Sequence, residues 1–127
     1  MKVLTIKQPW ATLIMQEKKR FEFRSWKTNY RGEILIHAGK GVDKKAVKRL
    51  KKYLPDELPS GQILGKVEIV DCIKCDENFK NMCQKENADI YAPTMFDENF
   101  AWQIDKVEIF EKPIEAKGKL GLWNIEL

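Results

Sequence analysis

The chain is short of several things. Its 127 residues hold one histidine, three cysteines and five prolines. A single histidine, His37, leaves no partner for the two-imidazole acid/base pair common among ribonucleases. A structural zinc site wants four ligands, commonly as two close pairs. Cys72-x-x-Cys75 and Cys83 supply three thiols, and His37 is remote in sequence. The odd thiol count points to reduced cysteines. No apolar run approaches the roughly 18 residues needed to span a bilayer. The opening Met1-Lys2-Val3-Leu4-Thr5-Ile6-Lys7 is interrupted by charge and reads as strand rather than as a targeting segment. A cytoplasmic setting with no membrane partner is therefore the expectation. Repeats, low-complexity tracts and linkers are missing too, which makes residues 1–127 one expected domain.

What is present is charge. One third of the residues are charged and 43% are hydrophobic, so a core and a well-solvated surface are both affordable. The net charge of +4 conceals an asymmetry: residues 1–52 carry +11 and residues 53–127 carry −7. Gathered on one side of a fold, the first set would form the positive field expected of a phosphate-bearing partner. Interspersed with the second, it is a solvated surface. The pattern alone leaves both readings open.

Hydrophobic periodicity lays out the elements. Val3–Lys7 reads as a strand. A short helix follows from Pro9, with Trp10, Leu13 and Ile14 on one face, and ends near residues 16–18. From Phe21 the pattern alternates: Phe21 and Phe23 on one face, Arg20, Glu22, Arg24 and Trp26 on the other. Gly32 marks a turn. Glu33–Ala38 reads as a strand buried on both faces, with His37 at its end before Gly39-Lys40-Gly41. His37 there is either a hydrogen-bonded structural residue or a cleft donor and acceptor.

Asp43 is an N-cap for a basic helix to about Tyr53, with Val47, Leu50 and Leu54 as its stripe. Its lysines either clasp phosphates or stay in water. Residues 62–73 form a long strand. Residues 76–89 are polar with a modest helical stripe of Phe79, Met82 and Cys83, and residues 91–94 read as a turn. A further strand spans Phe100–Glu111 and is broken at Lys112-Pro113; Leu122–Leu127 is the last. About six mostly antiparallel strands with helices between the early ones give an α+β fold: a small barrel with helices packed across its opening.

Several segments carry a resemblance over nearly the whole length. They are Gln8-Pro9-Trp10-Ala11, Lys19-x-x-Glu22-x-Arg24, Tyr30-Arg31-Gly32 leading to Ile36-His37-Ala38, and Lys112-Pro113-Ile114 through Lys117-Gly118 to Leu122-Trp123. In this order they resemble the ASCH domain family, a branch of the PUA-like barrels associated with RNA. The family motif begins with a glycine where this chain has Glu17. A left-handed residue at that helix end would cost a glutamate about 1–2 kcal/mol.

The resemblance implies a PUA-like barrel whose cleft brings Lys19, Glu22 and Arg24 to RNA or a nucleotide-like ligand, without cofactor or metal. Arg24 offers a planar fork to a phosphate or a base edge, and Lys19 a point charge. Glu22 would accept from an exocyclic amine or orient Arg24. Trp26 or Trp10 would stack on an unpaired base, and Arg31, His37 and Lys40 complete the expected nucleic-acid-binding set. The alternative is catalytic. Some small ASCH proteins are amidohydrolases acting on N4-acylated cytidine, with a threonine where Glu22 stands, activated by the neighbouring lysine. Lys19, Glu22 and Glu86 would then be the catalytic residues, with Glu22 activating water, or Ser25 or Thr28 would replace the missing hydroxyl. The structural reading of the same residues is an ion pair that closes the barrel edge.

Overall fold

The computed structural model describes all 127 residues. Six strands form one sheet: β1 (Lys2–Gln8), β2 (Phe21–Arg24), β3 (Gly32–Val42), β4 (Gln62–Lys74), β5 (Phe100–Glu115) and β6 (Leu122–Asn124). Their order is β2-β5-β4-β3-β1-β6. Only β1 and β3 run parallel; every other neighbouring pair is antiparallel. Three α-helices connect them: α1 (Trp10–Met15), α2 (Lys44–Arg49) and α3 (Glu77–Glu86). No helix is long and apolar enough to cross a membrane.

The sheet curls. β2 is first in the order and β1 fifth, yet Arg24 Nη2 on β2 donates to the Thr5 carbonyl on β1 at 3.0 Å. A flat sheet would hold strands four places apart at roughly 19 Å. The seam between β1 and β2 is thus spanned by a side chain rather than by a backbone ladder, consistent with the expected PUA-like barrel. Inside it, Leu4, Ile6, Ile34, Ile36, Val67 and Trp102 pack with Ala11, Ile14 and Met15, so α1 plugs one opening. Leu13, on the other side of α1, joins Phe21, Leu50, Phe79, Cys83 and Tyr91 in a second cluster that fastens α2 and α3 beside β2.

Local chemistry explains the element ends. The buried Gln8 side chain accepts from the Thr12 amide at 3.0 Å and donates to the Pro59 carbonyl at 2.9 Å, satisfying one orphan donor of α1 and tying down a loop. Asp43 and Asp76 cap α2 and α3 through Ala46 and Phe79. At the end of α1, the Glu17 amide bonds Ile14 O and the Lys18 amide bonds Leu13 O, with Glu17 at φ 60°. That is a Schellman ending with glutamate at the left-handed position.

Several elements differ from the sequence reading, β6 among them, which ends at Asn124 rather than Leu127. β3 continues through Gly39 and Gly41 to Val42, which pairs with Gln8, so His37 lies inside the strand. Glycine serves close packing there: a Cβ on Gly39 would lie 2.9 Å from Thr5 Cγ2. β5 passes through Lys112-Pro113 to Glu115 because Pro113 falls in a bulge, where β5 advances five residues against two of β4. The basic helix ends at Arg49 and continues only as a 3₁₀ turn at Lys51–Tyr53. Met82 is half exposed on α3, leaving Phe79 and Cys83 as its buried face.

Glu17→Gly tests the backbone cost directly. Relief of about 1–2 kcal/mol, offset by the extra unfolded-state freedom of glycine, about 0.5–1 kcal/mol, should leave a net gain of about 0.5–1 kcal/mol. Urea unfolding should show that gain for Glu17→Gly and none for Glu17→Ala.

Candidate functional site

The seam between β1 and β2 opens into a cleft of about 650 Å³, within the range of small-ligand sites. Its walls come from β1 (Thr5–Lys7), the start of α1 (Trp10), Lys19, Glu22, Phe23 and Arg24, the end of β3 (Gly39–Gly41), Arg49 of α2, and the segments holding Thr94, Glu98 and Lys119; Arg20, expected on the same face as Glu22, lies outside it. Six cationic side chains line it against three carboxylates. Lys7, Lys19, Arg24, Lys40 and Arg49 all come from the basic first half of the chain. The charge asymmetry is therefore partly gathered in space. It is partly spent elsewhere, as Arg20 pairs with Glu86, Arg31 with Asp71 and Lys52 with Asp89.

At the cleft base, one carboxylate serves two cations. Glu22 Oε1 accepts from Lys19 Nζ at 2.9 Å, and Oε2 accepts from Arg24 Nη2 at 3.0 Å. Lys19 is only 2% exposed, its ammonium 5.5 Å from the Trp10 ring centre and 5.4 Å from that of Phe23. Burial opposes a charged Glu22, but Lys19 and Arg24 together outweigh it and hold the carboxyl below its ordinary range. For Lys19 burial wins: its pKa is lowered despite Glu22, with Arg24 adding repulsion. The asymmetry follows from the count of two cations to one anion.

Arg24 is the outward part of this triad. Both contacts of Nη2, with Thr5 O and Glu22, fix the guanidinium plane. Nε and Nη1 make no hydrogen bond within the chain, and the side chain is partly exposed at the cleft wall. Glu22 has both oxygens engaged, so it orients Arg24 rather than presenting a free acceptor.

The other expected site residues divide. Lys40 lines the cleft, and so does Trp10. Trp26 does not: β2 ends at Arg24, the alternation stops with it, and Trp26 packs edge-on against Trp102 with ring centres 4.6 Å apart. Arg31 turns back onto the carbonyls of Thr28 and Tyr30. Glu86 lies on α3, gripped by Arg20 through Nε and Nη2, and is outside the cleft.

His37 is buried in a structural chain. Its Nε2 must donate to Ala116 O at 2.6 Å, which leaves Nδ1 to accept from Thr5 Oγ1 at 3.2 Å, while Thr5 Oγ1 accepts from Trp123 Nε1 at 3.0 Å. The three cysteines are free, and burial lifts the thiols of Cys75 and Cys83 to about 11, away from reactive thiolate. Sequence reasoning missed Lys7, Arg49, Thr94, Glu98 and Lys119, which share no motif and meet only in the folded chain.

Glu22→Gln should destabilise the protein by about 3–5 kcal/mol at pH 7, because it leaves Lys19 buried without its counter-charge. The wild-type contribution of Glu22 is full above the ordinary glutamate pKa of about 4.3 and is lost as pH falls through the lowered folded value. Denaturant unfolding across pH should show the variant's deficit shrinking in acid.

Comparison with known proteins agrees with this architecture. The ASCH domain family profile matches residues 4–114. The chain is 33% identical over 99 residues to mouse Activating signal cointegrator 1, and 32% identical to the human protein of that name. Each match covers 67% of this chain but 17% of the relative, so the chain spans about a sixth of the length of these proteins. The crystal structure of ASCH from Zymomonas mobilis superimposes with a TM-score of 0.59 at 15% identity, covering 90% of this chain and 72% of that one. A mutant of that protein gives the same TM-score and identity. By the match along residues 4–114, this chain belongs to the ASCH domain family.

Proposed function

We propose that this domain binds RNA, taking one nucleotide unit into the seam cleft against Arg24. The observation that carries the reading is the arrangement of Arg24. Its guanidinium is fixed by Glu22 and by the Thr5 carbonyl, while Nε and Nη1 stay free at the wall of a cationic cleft. A pre-oriented fork of this kind suits a phosphate or the acceptor edge of a base. Lys7, Lys40 and Lys119 line the same cleft and belong to none of the chain's close ion pairs. They add the diffuse attraction that makes such binding salt-dependent. Trp10, half-buried at the cleft wall, supplies the aromatic surface that Trp26 does not.

Binding is favoured over hydrolysis by the position of the catalytic candidates. Lys19 Nζ has Glu22 as its hydrogen-bond partner and no hydroxyl, and Glu86 is held by Arg20 away from the cleft. Lys19 and Glu22 therefore act as positioning residues in this reading.

Fluorescence anisotropy with randomised single-stranded RNA at about 50 mM salt should give saturable binding that weakens steeply as salt rises. Arg24→Gln, which keeps a donor for Thr5 O, should weaken it about tenfold or more, the scale of a lost hydrogen bond to a charged group. Equal affinity of wild type and Arg24→Gln, or no binding at low salt, overturns the proposal. Incubation with N4-acetylcytidine should release no cytidine. Release that disappears in Lys19→Ala would establish the amidohydrolase reading instead.

A further inference from the structure

Beside the seam cleft lies a second cavity of about 970 Å³, and the two share Thr5, Gly39, Lys40, Lys119 and Leu120. We infer that these are adjoining subsites of one groove, that its ligand is a strand of at least two nucleotides, and that the phosphodiester between them passes the Lys40–Lys119 saddle. This rests on the reading of the seam cleft as a nucleotide site.

The saddle has the composition that a connecting phosphate needs. Lys40 comes from β3 and Lys119 from the loop between β5 and β6, so two separate elements place a cation at the junction. Lys119 Nζ stands 5.8 Å from the Trp123 ring centre, and neither lysine is drawn off by a carboxylate. Leu120, which lines both cavities, is 97% exposed. It offers apolar contact to a base leaving one cavity for the other.

The second cavity continues the same chemistry. Lys117 lines it and is exposed and unpaired, and Glu115 is its single carboxylate. The shape is held from below. The bond from His37 Nε2 to Ala116 O pins the start of the loop to β3. A Cβ on Gly118 would lie 2.9 Å from His37 Cε1 and 3.0 Å from Thr5 Oγ1, so the loop can approach β3 and β1 this closely only with glycine there. Gly61, by contrast, would direct a Cβ toward open space, with Lys40 Cε its sole neighbour at 3.9 Å. The groove is thus a fixed concave path with cations spaced along it, as strand-tracking sites require.

The test separates the subsites. Ribo-oligomers of one, two and four nucleotides, randomised in sequence and end-labelled, are titrated against wild type, Arg24→Gln and Lys117→Ala. Lys117 lines only the second cavity and is exposed, so its removal leaves the fold intact. The two-nucleotide probe should bind at least about tenfold more tightly than the single nucleotide. Lys117→Ala should weaken the longer probes about three- to tenfold, lower their salt slope by about 0.7, and leave the single nucleotide unchanged. Arg24→Gln should weaken all three probes. If two nucleotides bind no better than one while Arg24→Gln still weakens the single nucleotide, the second subsite is wrong and the cleft reading stands. If no probe binds, both fall.

Discussion

The molecule depends on one carboxylate held between two cations. β2 and β1 lie at separated positions in the sheet order and never pair, so the curled sheet has a seam with no backbone ladder across it. Arg24 crosses that seam to the Thr5 carbonyl, and Glu22 fixes the angle at which it does so. Lys19, reaching Glu22 from the turn after α1, ties the plug helix to the same point. A contact that closes the barrel by side chains instead of strands also leaves the gap that becomes the cleft. Fold closure and cleft formation have the same cause.

The charge count sets the electrostatic character of that closure. Glu22 neutralises one positive charge, not two, so the base of the cleft stays net cationic after its strongest internal pairing. Because the buried cation bears the cost of desolvation, Lys19 is the group whose charged form is disfavoured, while Arg24 stands nearer solvent. The cleft therefore keeps its more exposed cation at the wall and its desolvated one at the floor.

How far this could be read beforehand follows from which signals are local. Period-two alternation correctly put Glu22 and Arg24 on one face, since β2 is a regular strand from Phe21 to Arg24. The same rule carried one step too far placed Trp26 with them, because nothing in the residues marks where the strand stops. The family motif identified Lys19 but not that it would be buried between two aromatic rings, a tertiary fact. The ring of lysines and arginine at the cleft mouth was invisible for the same reason: Lys7, Arg49 and Lys119 are separated by most of the chain. The sequence pattern ends β3 at Ala38, before Gly39-Lys40-Gly41, because glycines needed for close strand packing carry no apolar signal of their own. The departure at Glu17 was legible and real, and the Schellman hydrogen bonds show that the backbone holds its left-handed turn without glycine.

The identity of residue 22 also sets how its neighbours are held. The hydrolases this chain resembles carry a hydroxyl at that position, a group that a neighbouring lysine can deprotonate and aim. A carboxylate at the same place does the opposite to its surroundings: it attracts the lysine's proton-bearing form, occupies its hydrogen-bonding nitrogen, and uses its second oxygen to immobilise an arginine. Chemistry on an acyl group needs a nucleophile with room to advance, whereas Glu22 and Lys19 here are locked 2.9 Å apart under the cleft. Rigidity of that kind is what a recognition surface needs, because every donor fixed before the ligand arrives lowers the entropy lost on binding. The carboxylate that stands where those hydrolases have a hydroxyl is the group that preorganises Arg24.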